Sequence, residues 1–243
     1  MFYVVAVPAV LITAISKGGF GGAVGGIAVP LMSLVISPVH AAAIMLPLLC
    51  FTDFTGLRAY YGKWDRANLK VMLPGAAFGI GVGTLTFGMV SDDAVRIIVG
   101  VVAVLFTLYN VLGWAARQSA AKPTLAKGVW WSGLSGFTSF IAHAGGPPLM
   151  MFLMPQRLDK ITFVATANVF FLVVNAVKVA PYAFLGQFSR DNLLTSLVLA
   201  PIVPLGVRLG LWLQGKISHL WFYRVVQTAT LLTGVQLIYQ GVT

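Results

Sequence analysis

The chain has 243 residues, of which 9% are charged and 58% are hydrophobic, and its formal net charge is +10. Soluble domains carry roughly 25% charged residues, so these values exclude a soluble protein, which could not cover its surface with so few charges. The basic residues form short clusters between apolar runs, as on cytoplasmic loops, which argues against a nucleic-acid partner. We therefore predict a polytopic protein of the cell inner membrane, with the lipid bilayer as its surroundings.

Ten apolar segments follow one another along the chain, and at least seven approach the roughly 20 residues that span a bilayer. They lie at residues 2–16, 18–36, 41–61, 69–89, 94–114, 128–142, 146–155, 161–184, 192–213 and 219–240. The longest polar interval, at 118–127, divides the chain into nearly equal halves. The pattern predicts an all-α transmembrane bundle with a first repeat at 1–117, a linker at 118–127 and a second repeat at 128–243.

Each half contains a glycine-rich break. The first runs from Gly18 to Pro30 and follows Lys17, and the second runs with the same spacing from Gly136 to Pro148 and contains His143. Glycine loosens a helix, and proline removes a backbone donor but suits the first turn of a new helix. Each break should therefore form a broken or re-entrant helix. Broken helices at corresponding places in two halves are a strong indication of a transporter's binding site.

The relation between the halves depends on whether each glycine-rich pair of segments is one long helix or enters the membrane and returns. One long helix makes the halves parallel, whereas a returning pair inverts the second half. Inversion leaves only Arg96 and Arg190 opposite the other basic residues considered. It gathers on one side Lys17, Lys63, Arg66, Lys70, Arg117, Lys122, Lys127, Arg157, Lys160 and Lys216. The positive-inside rule therefore favours two inverted repeats with both termini outside the cytoplasm.

Ionisable side chains within apolar segments cost about 2.5–3.5 kcal/mol on insertion scales, so each one is a functional hypothesis. Asn168, Asn175 and Lys178 lie at i, i+7 and i+10 and share one helix face. They line a polar pathway or, alternatively, join neighbouring helices by hydrogen bonds. Alignment of the two halves places Asp53 and Lys178 at similar depths, which predicts an Asp53–Lys178 ion pair that anion or proton binding would break.

The breaks and these polar residues together predict a site for a small anion, since helix N-termini after the breaks offer free N–H groups and positive dipole ends. The residues expected to bind substrate are Lys17, Gly18, Gly19, Gly21, Gly22, Thr138, Ser139, His143, Gly145, Gly146, Asn168, Asn175 and Lys178. Asp53 and His143 are the candidates for proton coupling, because histidine titrates near neutral pH. The alternative role for the glycines is close helix packing, and the two roles are compatible.

The only cysteine, Cys50, excludes an intrachain disulfide and a CxxC site, and we interpret it as an inert buried thiol. His143 has no neighbouring ligands in the sequence that would support a metal site. We therefore expect no metal, no cofactor and no catalytic residue.

These motifs resemble the sulfite exporter (TauE/SafE) family, also called the 4-toluene sulfonate uptake permease (TSUP) family, over nearly the whole chain. The residues that carry the resemblance are Ser16-Lys17-Gly-Gly-Phe-Gly-Gly22 leading to Pro30-Leu31, Leu46-Pro47 ahead of Asp53, Gly136-Phe-Thr-Ser-Phe140, His143-Ala-Gly-Gly-Pro-Pro148, Asn175-Ala-Val-Lys178 and Pro204-Leu-Gly-Val-Arg208-Leu-Gly210. The resemblance implies an integral membrane carrier of small sulfur-containing anions such as sulfite and organosulfonates, often in export. Many members have only small residues in the first break, so Lys17 is a departure that leaves the choice of sulfur anion open.

We therefore predict a secondary transporter that exports a small sulfur-containing anion and couples to protons through His143 or Asp53. A passive anion channel for the same substrates is the alternative. A membrane-embedded enzyme or sulfur relay at Cys50 is a third class, which we do not favour. The sequence leaves a homodimer open.

Overall fold

The computed structural model describes residues 2–23, 28–87, 89, 91–111 and 122–242. Within these residues the chain forms α-helices, one 3-10 helix and turns, without a strand. The helices are α1 (Phe2–Phe20), α2 (Ala28–Met32), α3 (Pro38–Ala59), α4 (Arg66–Leu85), α5 (Asp92–Val111), α6 (Leu125–Ala142), α7 (Gly146–Leu153), α8 (Lys160–Phe184), α9 (Arg190–Leu199), α10 (Ile202–Lys216) and α11 (His219–Val242), and the 3-10 helix is Met154–Gln156. The predicted all-α class is confirmed. Arg117, residues 118–121 of the predicted linker and residues 24–27 of the first break lie outside the described residues.

Several helices begin at the turn residues that separate the apolar segments. Ser37, Asp65, Asp159 and Ser189 are the N-caps of α3, α4, α8 and α9, and each side chain accepts a hydrogen bond from a backbone N–H of the first turn. Partial burial raises the pKa of the Asp159 carboxyl, but the hydrogen bonds that it accepts outweigh this effect and hold the pKa below its usual value. The caps thus fix where the apolar helices start.

Three helices in the described part of the chain are long and apolar enough to cross a membrane alone, at Phe2–Phe20, Val39–Ala59 and Lys160–Phe184. α9 and α10 pass the same test together, although they meet at a bend of 45°. The sequence predicts at least seven runs of near-spanning length, so fewer described helices meet the criterion than expected. The breaks account for part of this difference, because α2 has only 5 residues and α7 only 8. In α4, glycines and a polar first turn lower the hydropathy.

Three pairs of helices in the described part of the chain pack through glycine, one of them being α5 with α11. α1 lies along α10, where a Cβ at Gly19 would collide with the backbone of Gly210. α4 lies along α6, where a Cβ at Gly79 would collide with the backbone of Gly133. Glycine allows the backbones to approach this closely, so at these positions it serves the close packing that was its alternative interpretation.

α3 and α8 form the seam between the α1–α10 pair and the α4–α6 pair. α3 contacts both α1 and α10, and α8 contacts α4. Along the seam Gly56 packs against Asn168, and Asp53 accepts a hydrogen bond from Asn175. Because the residue number falls on α3 while it rises on α8, the two helices run antiparallel.

Basic residues gather at one end of the molecule. The Lys160 Nζ donates a hydrogen bond of 2.8 Å to the carbonyl oxygen of Gln214, which brings the start of α8 to the end of α10. Asn68 and Gln156 exchange two hydrogen bonds of 2.9 Å, and α4 and α6 begin side by side. The exposed basic residues at this end include Lys63, Arg66, Lys70, Lys122, Lys127, Arg157 and Lys216. Lys17, which was grouped with them, is buried inside the bundle with 5% of its surface exposed.

Candidate functional site

A buried cluster joins the end of α1 to the seam of α3 and α8. Lys17, in the last turn of α1, donates from Nζ to the Asp53 Oδ1 at 2.5 Å. The other carboxylate oxygen, Oδ2, accepts a hydrogen bond of 2.7 Å from the Asn175 Nδ2. The Lys17 Nζ also lies 4.9 Å from the centroid of the Phe171 ring, within the range of a cation–π interaction. Three helices therefore converge on one carboxylate.

Lys178 belongs to a second set of contacts. It is fully buried and donates to the Ser139 carbonyl oxygen at 2.6 Å and to the Ser139 Oγ at 3.3 Å. The predicted Asp53–Lys178 ion pair is therefore wrong. The register between α3 and α8 places the Asn175 amide at Asp53, and α1 supplies Lys17 at the same depth. The alignment of the two halves estimated depth only and gave no information on which helices face each other.

The buried charges do not balance. Lys17 and Lys178 each contribute a formal positive charge, and Asp53 contributes one negative charge. Within the described residues no carboxylate lies at salt-bridge distance from Lys178. Burying an uncompensated charge is costly, and a bound anion would offset that cost.

The second break is built around His143, which is the C-cap of α6 and has a left-handed backbone with φ 51° and ψ 26°. Its Nε2 lies 2.8 Å from the Tyr182 Oη, which also donates to the Phe140 carbonyl oxygen at 3.2 Å. The His143 Nδ1 is buried and has no hydrogen-bond partner among the described residues. α7 begins at Gly146 with proline in its first turn, as predicted.

Two hydroxyl groups of α6 hold this break together. The Ser135 Oγ donates to the Gly145 carbonyl oxygen at 2.6 Å. The Thr138 Oγ1 lies 2.8 Å from the Leu134 carbonyl oxygen and 3.2 Å from that of Ala144. Thr138 thus supports the break through backbone contacts.

A narrow cavity of about 30 Å³ lies where the two breaks meet. Gly146 lies against the carbonyl oxygen of Gly22, so the breaks touch each other at this point. The residues that line the cavity are Lys17, Gly22, Leu49, Ser139, His143, Gly145, Gly146, Phe171 and Asn175. A cavity needs roughly 10–15 Å³ of this volume to hold one water molecule, so this cavity accommodates about two.

The other residues proposed from the sequence lie around the cavity or away from it. Asp53 and Lys178 are bonded to the lining residues Lys17 and Ser139. The remaining glycines pack against neighbouring elements: Gly18 and Gly19 lie against α10, and Gly21, with φ +64°, lies against α8.

Asn168 lies on α8 beside Gly56 and is 3% exposed. Neither its Nδ2 nor its Oδ1 has a hydrogen-bond partner among the described residues. An unsatisfied buried polar group costs about 1–3 kcal/mol, so this amide is an unusual feature of the seam.

Leu49 and Phe171 line the cavity but were not proposed from the sequence. Phe171 lies at i+3 from Asn168 and at i−4 from Asn175, so the polar stripe of α8 includes it. Leu49 precedes Asp53 by four residues. The helical period would have identified both residues, although apolar side chains carry no signal of their own in so hydrophobic a chain.

No group of three or more His, Cys, Asp or Glu side chains that could hold a metal ion occurs among the described residues. The Cys50 thiol is free and partly buried, one helical turn before Asp53.

Comparison with known proteins identifies the family. No curated protein and no solved structure matches the chain. A family model described as Sulfite exporter TauE/SafE matches residues 6–237, which include both breaks and all the residues that line the cavity. This match confirms the resemblance found in the motifs. The chain therefore belongs to the sulfite exporter TauE/SafE family.

Proposed function

We propose that the chain is a secondary transporter that exports a small sulfur-containing oxyanion, such as sulfite or an organosulfonate, across the cell inner membrane. Membership of the family makes it a membrane transporter of this general class. The observation that carries the proposal is that two buried lysines, Lys17 and Lys178, accompany one buried carboxylate, Asp53, beside a cavity between two helix breaks. The substrate would supply the negative charge that the site lacks.

The chemistry of the cavity wall suits an oxyanion. Lys17 and Ser139 provide donors, and the backbone at Gly145 and Gly146 approaches closely because glycine has no side chain. An oxyanion has several acceptor oxygens that would use these donors. Leu49 and Phe171 give the cavity an apolar side, which would accept the organic group of a sulfonate.

Alternating access requires this cavity to open. Sulfite has four non-hydrogen atoms, whereas the cavity accommodates about two water molecules. The cavity would therefore have to widen to admit sulfite. Asn168, whose buried amide has no partner, lies along the α3–α8 seam and is proposed to line the route that opens.

An inverted repeat accounts for the packing of the helices. If the first half contains α1 to α5 and the second α6 to α11, then α1 corresponds to α6, α3 to α8, α4 to α9 with α10, and α5 to α11. The α1–α10 contact is then the counterpart of the α6–α4 contact. The α3–α8 and α5–α11 contacts each join two corresponding helices. The end of α7, at Phe152, lies near Gly128 at the start of α6, which supports a re-entrant second break.

Proton coupling would pass through Asp53. A substrate anion that takes the hydrogen bond of Lys17 leaves the Asp53 carboxylate with Asn175 as its remaining partner. A buried carboxylate without a cation is unstable, so proton uptake would accompany substrate binding. His143 lies on the cavity wall and is the second candidate for this role.

The experiment is uptake of radiolabelled sulfite and of a small sulfonate into liposomes that contain the purified protein, with and without an imposed pH gradient. We expect saturable uptake that the pH gradient drives uphill, and a fall of at least about tenfold in Lys178→Met. The matched control is Lys216→Met, which removes an exposed lysine far from the cavity. Downhill flux that neither saturates nor responds to the gradient would instead indicate a channel. Absence of flux for every anion tested would refute the proposal.

A further inference from the structure

A second cavity lies on the exposed surface between α4 and α6, with Phe137 of the second break among its lining residues. It is an apolar groove of about 240 Å³ lined by Phe78, Gly79, Val82, Val129, Trp130, Gly133, Leu134 and Phe137. Phe78 is 73% exposed and Trp130 is 69% exposed, so the aromatic walls stand open to the surroundings. In a transmembrane protein such a groove faces the lipid.

The groove runs from the basic end towards the middle of the membrane. Val71 contacts Gly128 near the start of both helices, and Gly79 contacts Gly133 further along. The residue number rises on both helices, so α4 and α6 run parallel from the basic end. The end of the groove at Val129 is therefore the end nearest the basic residues.

A lysine precedes the groove on the α6 side. Lys127, Trp130, Leu134 and Phe137 lie at i, i+3, i+7 and i+10, so they share one face of α6. Lys127 is exposed and lies two turns before Leu134. Tryptophan is enriched at the level of the lipid headgroups, so Trp130 places this end of the groove near the membrane surface.

A second lysine precedes the groove on the α4 side. Lys70, Phe78 and Val82 lie in the row of α4 that repeats every four residues, with Lys70 two turns before Phe78. Lys70 is exposed, and it comes directly before Val71, which contacts Gly128. Lys70 and Lys127 thus lie at the same end of the two helices, with Lys70 about 80° around α4 from Phe78.

We propose that this groove binds an anionic glycerophospholipid, with one acyl chain in the groove and its phosphate between Lys70 and Lys127. The apolar groove matches an acyl chain, and the two cations match the phosphate at the depth where headgroups lie. A second copy of the chain is a poorer match. A symmetric dimer through this face would bring the lysines of both copies together at one depth.

The experiment measures lipid binding to the full chain in neutral detergent by native mass spectrometry. The probes are phosphatidylglycerol and phosphatidylcholine with identical acyl chains. We expect phosphatidylglycerol to bind more tightly, and the preference to fall by about fivefold for Lys70→Gln or Lys127→Gln and about 30-fold for both together. Lys216→Gln, an exposed lysine of the same end outside the groove, should retain the preference.

A second variant tests the acyl-chain part. Gly133 lines the groove, and a Cβ there would make only an ordinary contact with Gly75, so Gly133→Leu is the variant that adds bulk to the groove. We expect it to weaken both lipids equally, whereas Gly81→Leu, in open space on α4, should leave binding unchanged.

Three results would overturn the proposal. The first is a phosphatidylglycerol preference that survives loss of both lysines or that falls equally in Lys216→Gln. The second is full competition by soluble glycerol phosphate, which would show that a free phosphate suffices. The third is a change from dimer to monomer in Gly133→Leu without a change in lipid binding, which would assign the groove to a second copy.

Discussion

At each of the two helix breaks a lysine joins the broken helix to the α3–α8 seam, but the groups that hold the lysine differ. At the first break the cation is on the broken helix, where Lys17 meets the Asp53 carboxylate of α3. At the second break the cation is on the third helix of its half, where Lys178 meets the neutral carbonyl and hydroxyl oxygens of Ser139 on α6. Each contact joins a broken helix to the seam, but only the first one pairs opposite charges.

Because of this difference, we expect the lysine of one break to affect mainly stability and the lysine of the other to affect mainly transport. An ion pair compensates its own charges, so losing either partner leaves a buried charge alone. A lysine held by neutral oxygens keeps its charge available to an anion. The first break should therefore depend on its pair for stability, and the second should contribute the charge that attracts substrate.

The largest effect is expected from breaking the ion pair. Lys17→Met leaves Asp53 buried without a cation, and we expect a loss of about 3–5 kcal/mol in the free energy of unfolding. Chemical unfolding in detergent measures this loss. The double variant Lys17→Met/Asp53→Asn should recover most of it, whereas additive losses in the double-mutant cycle would show that the two side chains do not act as a pair.

Removal of the other cation should affect transport more than stability. Lys178→Met removes hydrogen bonds to Ser139 and also a buried charge without a counterion, so we expect a loss of only about 1 kcal/mol in stability. Liposome uptake should nevertheless fall by at least about tenfold, the equivalent of about 1.4 kcal/mol of anion binding. If Lys178→Met unfolds the protein as readily as Lys17→Met, the contrast between the breaks is mistaken.

Two glycines with a left-handed backbone, one at the cavity and one in a loop, allow a third comparison. Gly22 has φ +80° and lines the cavity, and Gly62 has φ +75° in an open loop. Alanine at either position should cost about 1–2 kcal/mol of stability, because L-residues disfavour this conformation. Uptake should fall further in Gly22→Ala, where the new methyl group narrows the cavity, and Gly62→Ala is its control. Equal uptake in the two variants would place the substrate elsewhere.

The smallest effects should come from the tyrosines that end the seam. The Tyr60 Oη donates to the Gly18 carbonyl oxygen at 2.6 Å, and the Tyr182 Oη contacts His143. Tyr60→Phe should cost about 1 kcal/mol of stability and leave the pH profile of uptake unchanged. Tyr182→Phe frees one face of His143 and should shift that profile. Identical profiles in both variants would argue against a role for His143 in proton coupling.

The sequence predicts the parts that local chemistry determines. Low charge and long apolar runs indicate a helical membrane protein, and the Gly-Gly-Pro-Pro stretch places the start of α7 at Gly146, where the structure has it. The polar stripe of α8 contains Asn175, which bonds to Asp53 on α3. These features depend on composition, on backbone conformation or on the period of a single helix.

The partner of Asp53 could not be predicted in the same way. Whether it meets Lys17 or Lys178 depends on how three helices from two halves align, and spacing along one helix carries no information on that alignment. The packing of Gly18 and Gly19 could not be predicted from the spacing along one helix either. Their packing against α10 becomes visible only when α1 and α10 are side by side.

The glycine contacts also have a mechanical consequence. Where the backbones of α1 and α10 touch, and where those of α4 and α6 touch, neither helix of a pair can slide along the other without a collision. Each pair should therefore move as one rigid body. The α3–α8 seam between them contains polar side chains, an unpartnered amide and a small cavity. We expect the two bodies to part along this seam, and the site to lie on their hinge.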